Sequence, residues 1–164
     1  MERKDSLAKE IEKMIREDEG VRSKVYKDSL GIRTVGVGFN MESPSAKGFW
    51  ENAGIPEDFD EVLEGKQSLS QDSIDALLEV TLGNSKKEIS NVVPNFSDLS
   101  ENRQAALLNM HFQLGTSRLS GFKNMIAALE SHDYERAYAE ALDSKWAKQT
   151  PNRAKEVANM LLLG

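Results

Sequence analysis

Two carboxylates nine positions apart, Glu19 and Asp28, are the residues of this 164-residue chain best placed by type and context to do chemistry. Glu19 closes a helical pattern. Asp28 follows a short strand-like run and opens a turn, just ahead of Thr34-Val35-Gly36-Val37-Gly38. Breaking a glycosidic bond takes one carboxyl that keeps a proton for the leaving sugar oxygen and a second carboxylate that handles water or the glycosyl cation. A helix end, a strand, a turn and a glycine-bearing strand can hold two such groups at a fixed separation. Glu19 would have to stay protonated at the working pH, which asks for desolvation around it. Asp28, in a polar turn beside Lys27, suits the ionised role. Thr34 offers a hydroxyl that donates and accepts, suited to orienting water. On spacing alone, both carboxylates read equally as surface charges among 27 acidic residues. Thr34 likewise reads as an ordinary β-branched strand residue.

Periodicity predicts the elements that must position these groups. Leu7, Ile11, Met14 and Ile15 recur at helical spacing after a capping Asp5 or Ser6, and Gly20 is the natural stop. Val21 to Tyr26 reads as a strand, Asp28 to Gly31 as a turn, and Arg33 to Phe39 as a second strand. Ser43-Pro44-Ser45 ends the hairpin region, a short helix follows near Lys47 to Ala53, and Gly54-Ile55-Pro56 breaks it. Ser70 caps a long helix whose apolar face is Ile74, Leu77, Leu78 and Leu82, with Gly83 as a point of weakness. After Pro94, Ser100 caps a helix over Glu101 to Leu114 that Gly115 ends. Gly121, His132-Asp133 and Gln149-Thr150-Pro151 punctuate the later helices. The fold class is α+β: a small β-rich lobe over residues 20–65, a helical lobe from residues 1–19 plus 66–164, a long helix joining them and a cleft between. The first helix is expected to pack with the later ones.

Composition narrows the function classes. Hydrophobic residues at 39% and charged residues at 29% suit a soluble globular chain and argue against disorder. No apolar run approaches the ~20 residues of a bilayer span, so no membrane insertion is expected. The N-terminus lacks the pattern of a secretory signal. With no cysteine, disulfides and thiolate metal sites are excluded, and two histidines, His111 and His132, are too few for a zinc amidase. Neither metal nor cofactor is expected. The net charge of −6 is concentrated in residues 29–104, which carry 13 acidic and 6 basic side chains. Glu57-Asp58-Phe59-Asp60-Glu61 within them reads as solvated surface. No basic stripe exists to release counterions from nucleic acid. His111 reads as a surface or half-buried residue. A monomer is the default.

A set of motifs then goes together: Glu19-Gly20, Tyr26-Lys27-Asp28, Thr34-Val35-Gly36-Val37-Gly38, Phe112-Gln113-Leu114-Gly115, and Trp146-Ala147-Lys148-Gln149-Thr150-Pro151-Asn152-Arg153-Ala154. Together they resemble the T-even phage lysozymes, muramidases of glycoside hydrolase family 24, from about residue 12 to residue 160. The resemblance implies cleavage of the β-1,4 bond between N-acetylmuramic acid and N-acetylglucosamine in bacterial peptidoglycan. It implies inversion, which needs room for a water and carboxyls roughly 6.5–9.5 Å apart. Glu19 is then the general acid, Asp28 the second catalytic carboxylate and Thr34 a water-placing hydroxyl. Arg153 resembles the family arginine beside the acid, and Asn152 stands with it. Gly38 and Asn40 fall where the family meets glycan, although Gly36 and Gly38 also serve hairpin geometry. Phe112 lines the site or packs in the core, and Gln113 bonds substrate or backbone. Trp146 supports the turn before Arg153. An endolysin of this kind stays in the host bacterial cytoplasm until a holin-type membrane protein releases it, or it travels on the virion.

The chain departs from that pattern at three places. Phe39 stands where familiar members have a histidine paired with an aspartate, near which Thr81 falls, so an aromatic contact replaces an ion pair. The N-terminus starts about eight residues early and is expected to lengthen the first helix. Familiar members are basic, so weaker screened attraction predicts better salt tolerance here. Two other readings stand beside the hydrolase. A lytic transglycosylase needs the acid but no water-placing carboxylate. A non-catalytic wall-binding virion module would keep the fold alone.

Overall fold

The computed structural model describes residues 12–164, and the predicted cap at Asp5 or Ser6, with the rest of the N-terminal extension, lies outside them. The chain forms two compact units that divide between Asn84 and Ser85.

The first unit begins with helix α1, helical over residues 12–19. Gly20 ends it with φ 79° while its N–H still reaches the Arg16 carbonyl at 2.8 Å, a left-handed stop that glycine adopts without a Cβ penalty. Three antiparallel strands follow in the order β1 (Arg22–Lys27), β2 (Arg33–Gly36) and β3 (Phe39–Asn40). The single second strand expected over residues 33–39 is instead two. Gly36 and Gly38 take φ 66° and 62° and fold the chain back on itself, pairing Thr34 with Asn40 and Val35 with Phe39. Alternation is blind to such a turn, because Val37 keeps the apolar period going through it.

Helix α2 (Ala46–Ala53) ends at Gly54 in the left-handed region. In the acidic run Asp58, Asp60 and Glu61 are exposed, as expected of solvated surface, whereas Glu57 is buried. Asp58 caps α3 (Phe59–Leu63) by accepting from the Glu61 N–H at 3.0 Å. Glu57, only 8% exposed, takes the Ser70 N–H at 2.7 Å on Oε2 and the Ser73 hydroxyl at 2.6 Å on Oε1. It therefore sits at the N-terminus of α4 (Gln71–Val92), where Ser70 also accepts from the Ser73 N–H at 3.1 Å. Unpaired amides and the helix dipole favour an anion there. Those bonds hold the Glu57 carboxyl below its ordinary range, although burial works the other way. Ile74, Leu77, Leu78 and Leu82 are buried as their spacing predicts. Helix α4 runs unbroken through Gly83. Arg16 of α1 pairs with Asp75, which also accepts from Gln71 at 3.0 Å. Phe39 packs against Trp50 with centroids 6.1 Å apart, and Trp50 meets Phe59 edge-on at 5.2 Å. Thr81 turns its hydroxyl onto the Leu78 carbonyl at 2.9 Å. Phe39, Trp50 and Phe59 thus form an aromatic cluster in this unit.

The second unit is helical. After a 3-10 turn (Phe96–Asp98), Ser100 caps α5 (Glu101–Ser120) by accepting from the Arg103 N–H at 3.2 Å. Helical geometry breaks at Gly115, φ 81° and ψ 171°, the stop expected there, and a further helical stretch resumes beyond it. Then come α6 (Lys123–Glu130), α7 (Tyr134–Leu142), α8 (Lys145–Gln149) and α9 (Pro151–Leu163). Pro151 suits the first turn of α9, where its missing N–H costs nothing. Leu107, Leu108, Met110, Met125, Leu129 and Leu161 are among the buried residues of this unit.

Candidate active site

Glu19, Asp28, Thr34, Gly38 and Asn40 all belong to the first unit; Phe112, Gln113, Trp146, Asn152 and Arg153 belong to the second. Glu19 is the last residue of α1 and is half-buried. Asp28 opens the loop between β1 and β2. Its Oδ1 accepts the N–H groups of Leu30 at 2.8 Å and Ile32 at 2.9 Å. Its own N–H reaches the Ile32 carbonyl at 2.9 Å, and Gly31 closes the turn with φ 79°. Both side-chain bonds fall on one oxygen, so the loop orients the carboxylate without using Oδ2.

Thr34, 4% exposed, donates its hydroxyl proton to the same Ile32 carbonyl at 2.9 Å. The Ile32 backbone therefore links the two side chains: its N–H is held by Asp28 and its carbonyl oxygen by Thr34. In register, Thr34 stands between Tyr26 on β1 and Asn40 on β3. Directly opposed residues share a face of an antiparallel sheet, so Tyr26, Thr34 and Asn40 form one row across three strands. Asn40 Oδ1 accepts the Glu42 N–H at 2.8 Å, which fixes the exit of β3. The Tyr26-Lys27-Asp28 motif alone shows no role for Tyr26, because cross-strand register is not written in the sequence. Its pKa lies above 10.0, first through burial; Arg22, with its guanidinium 5.0 Å from the ring centroid, opposes this, and the Glu19 and Asp28 charges add to it. Both candidate carboxylates thus act on one hydroxyl.

In the second unit, Arg153 Nε donates to Asn109 Oδ1 at 2.8 Å. Asn109 is fully buried, 0% exposed, inside the apolar run of α5. That lone amide among apolar neighbours is the signal that could have marked it as the arginine's anchor. Trp146 is buried and donates Nε1–H to Gln113 Oε1 at 2.8 Å. Its carbonyl accepts the Thr150 N–H and hydroxyl at 2.9 and 3.0 Å, tying α8 to the turn that starts α9. Phe112 is half-buried and Asn152 exposed. His111 is buried rather than superficial, 7% exposed, with Nε2 at 2.9 Å from Glu88 and 2.8 Å from Thr116. Burial lowers its pKa despite the Glu88 charge. A pocket of about 610 Å³ in this unit is lined by Leu114, Arg118, Phe122, Glu140, Asp143 and Trp146 among others.

Residues 16–161 match the model of the phage lysozyme family. Over 156 residues the chain is 33% identical to the pre-baseplate central spike protein Gp5 of Enterobacteria phage T4. That alignment takes in 92% of this chain and 27% of the spike protein, so the chain spans about a quarter of that relative's length. It is 28% identical to probable T4-type lysozyme 2 of Dictyostelium discoideum, with 96% of each chain aligned. Probable T4-type lysozyme 1 of the same organism is 27% identical with the same coverage. A family match over nearly the whole described length leaves one assignment: the chain belongs to the phage lysozyme family.

Proposed function

We propose that the chain hydrolyses bacterial peptidoglycan at the β-1,4 bond between N-acetylmuramic acid and N-acetylglucosamine, with inversion. The observation that carries this reading is the Ile32 link between Asp28 and Thr34. Thr34 has committed its proton to the Ile32 carbonyl, so toward water it can only accept. Asp28, ionised, can also only accept. A water between them gives one hydrogen to each and keeps a lone pair for the anomeric carbon. In the reaction the water oxygen bonds to the anomeric carbon as the glycosidic C–O bond breaks. The Glu19 proton goes to the leaving oxygen and Asp28 takes one from the water. Arg153 serves as a supporting residue, held at its place on α9 by Asn109.

Digesting purified peptidoglycan in ¹⁸O-water tests the route. Muropeptides with reducing N-acetylmuramic acid ends carrying one ¹⁸O are expected. Products ending in 1,6-anhydro sugars would assign the chain to transglycosylases instead. The similarity to a phage spike protein favours a virion-associated role over an endolysin released by a holin-type protein.

A further inference from the structure

The hydrogen bonds of the attacking water leave one position open. Such a water has two hydrogens and two lone pairs. Asp28 and Thr34 take the hydrogens, and the anomeric carbon takes one lone pair. The second lone pair is open to a donor, and neither Asp28 nor Thr34 can supply one. Glu19 must send its proton to the leaving oxygen.

Tyr26 meets the requirement on three counts. It is paired directly with Thr34 on the same sheet face. Among the described residues its hydroxyl has no hydrogen-bond partner in the protein. The charged groups acting on it are Arg22 on its own strand, Glu19 from α1 and Asp28 from the following loop. Two carboxylates and a half-buried position keep the phenol in its protonated, donating form. Its long ring carries that donor further from the sheet than the Thr34 hydroxyl reaches, as a water sitting above Thr34 requires.

We propose that the Tyr26 hydroxyl is a further catalytic group, donating a hydrogen bond to the attacking water and so fixing which lone pair of that water faces the anomeric carbon. No bond to Tyr26 forms or breaks, and its proton stays on the phenol. The proposal rests on the hydrolase reading above.

Tyr26→Phe keeps the ring and removes the donor. It should lower kcat about tenfold, the rate equivalent of one hydrogen bond, and leave KM unchanged. Wild-type kcat should also fall as pH rises beyond the ordinary tyrosine value of 10.0, because a phenolate has no proton to give. That alkaline limb should be missing from the kcat of Tyr26→Phe. Rates are taken well below both melting transitions and normalised to the folded fraction, so a loss of stability does not hide the result. A Tyr26→Phe protein that keeps the wild-type kcat and its alkaline limb, or one altered only in its melting temperature, would overturn the assignment. Glu19→Gln is measured in parallel. If it keeps the wild-type rate, the hydrolase reading itself fails; if it loses the rate while Tyr26→Phe does not, the Tyr26 assignment alone fails.

Discussion

At the residue scale, the observed loop role of Asp28 and its proposed catalytic role can be separated. Its Oδ1 organises the β1–β2 loop through the Leu30 and Ile32 amides, and its charge is what water activation requires. Asp28→Asn keeps an acceptor at that oxygen and removes the charge. Asp28→Ala removes both, and should cost about 1–2 kcal/mol of stability for two lost loop bonds. The expected pattern is that both variants lose most turnover while only Asp28→Ala melts clearly lower. Thermal melts beside rates on purified peptidoglycan check it, and an active Asp28→Asn would reduce Asp28 to a loop residue. Glu19 and Asp28 were legible as chemical candidates through the motifs around them, since spacing alone also fits surface charges and a carboxylate that opens a turn. Tyr26 was not, since its position depends on pairing with Thr34 across strands. Asn109 is hard to read from the sequence because its partner Arg153 lies 44 positions away.

At the element scale, the cap of α4 is the feature with a pH signature. Glu57 bonds the Ser70 N–H and the Ser73 hydroxyl and is held below the ordinary glutamate value of 4.5. A depressed carboxyl contributes stability above its unfolded pKa and loses it as pH falls through the folded one. Glu57→Gln should therefore destabilise by about 1–3 kcal/mol near pH 7, the range for hydrogen bonds to a charged group. Its difference from wild type should shrink as pH drops below 4.5. Melting temperatures measured across that interval decide it; a difference independent of pH would mean that the charge is not what stabilises the cap. Helix α4 itself was legible from Ser70 and the Ile74, Leu77, Leu78, Leu82 stripe. The distant half of its cap was not, because Glu57 sits 13 positions before Ser70 inside a run that composition marks as surface. The split of the second strand was hidden for a different reason. Positive φ at Gly36 and Gly38 reverses the chain without interrupting the apolar alternation.

At the scale of the whole molecule, the α+β architecture and the phage lysozyme family were both readable, the first from periodicity and the second from motifs spread along the chain. Local signals account for this success. Caps, glycine stops and apolar stripes act over a few residues and announce themselves in order. The division between residues 84 and 85 falls inside the continuous helix α4, so no composition shift or linker marks it. The candidate chemistry is concentrated in the first unit, where Glu19, Asp28, Thr34 and Tyr26 are gathered by one helix end and two strands. Arg153, held by Asn109, and the Trp146–Gln113 pair belong to the second unit. The most direct test of the central claim is the hydrolysis rate on purified peptidoglycan, wild type beside Glu19→Gln. A general acid contributes about 10²–10⁴-fold, so a loss of that size in a variant with unchanged melting temperature is expected. A Glu19→Gln protein that clears peptidoglycan at the wild-type rate would contradict the account.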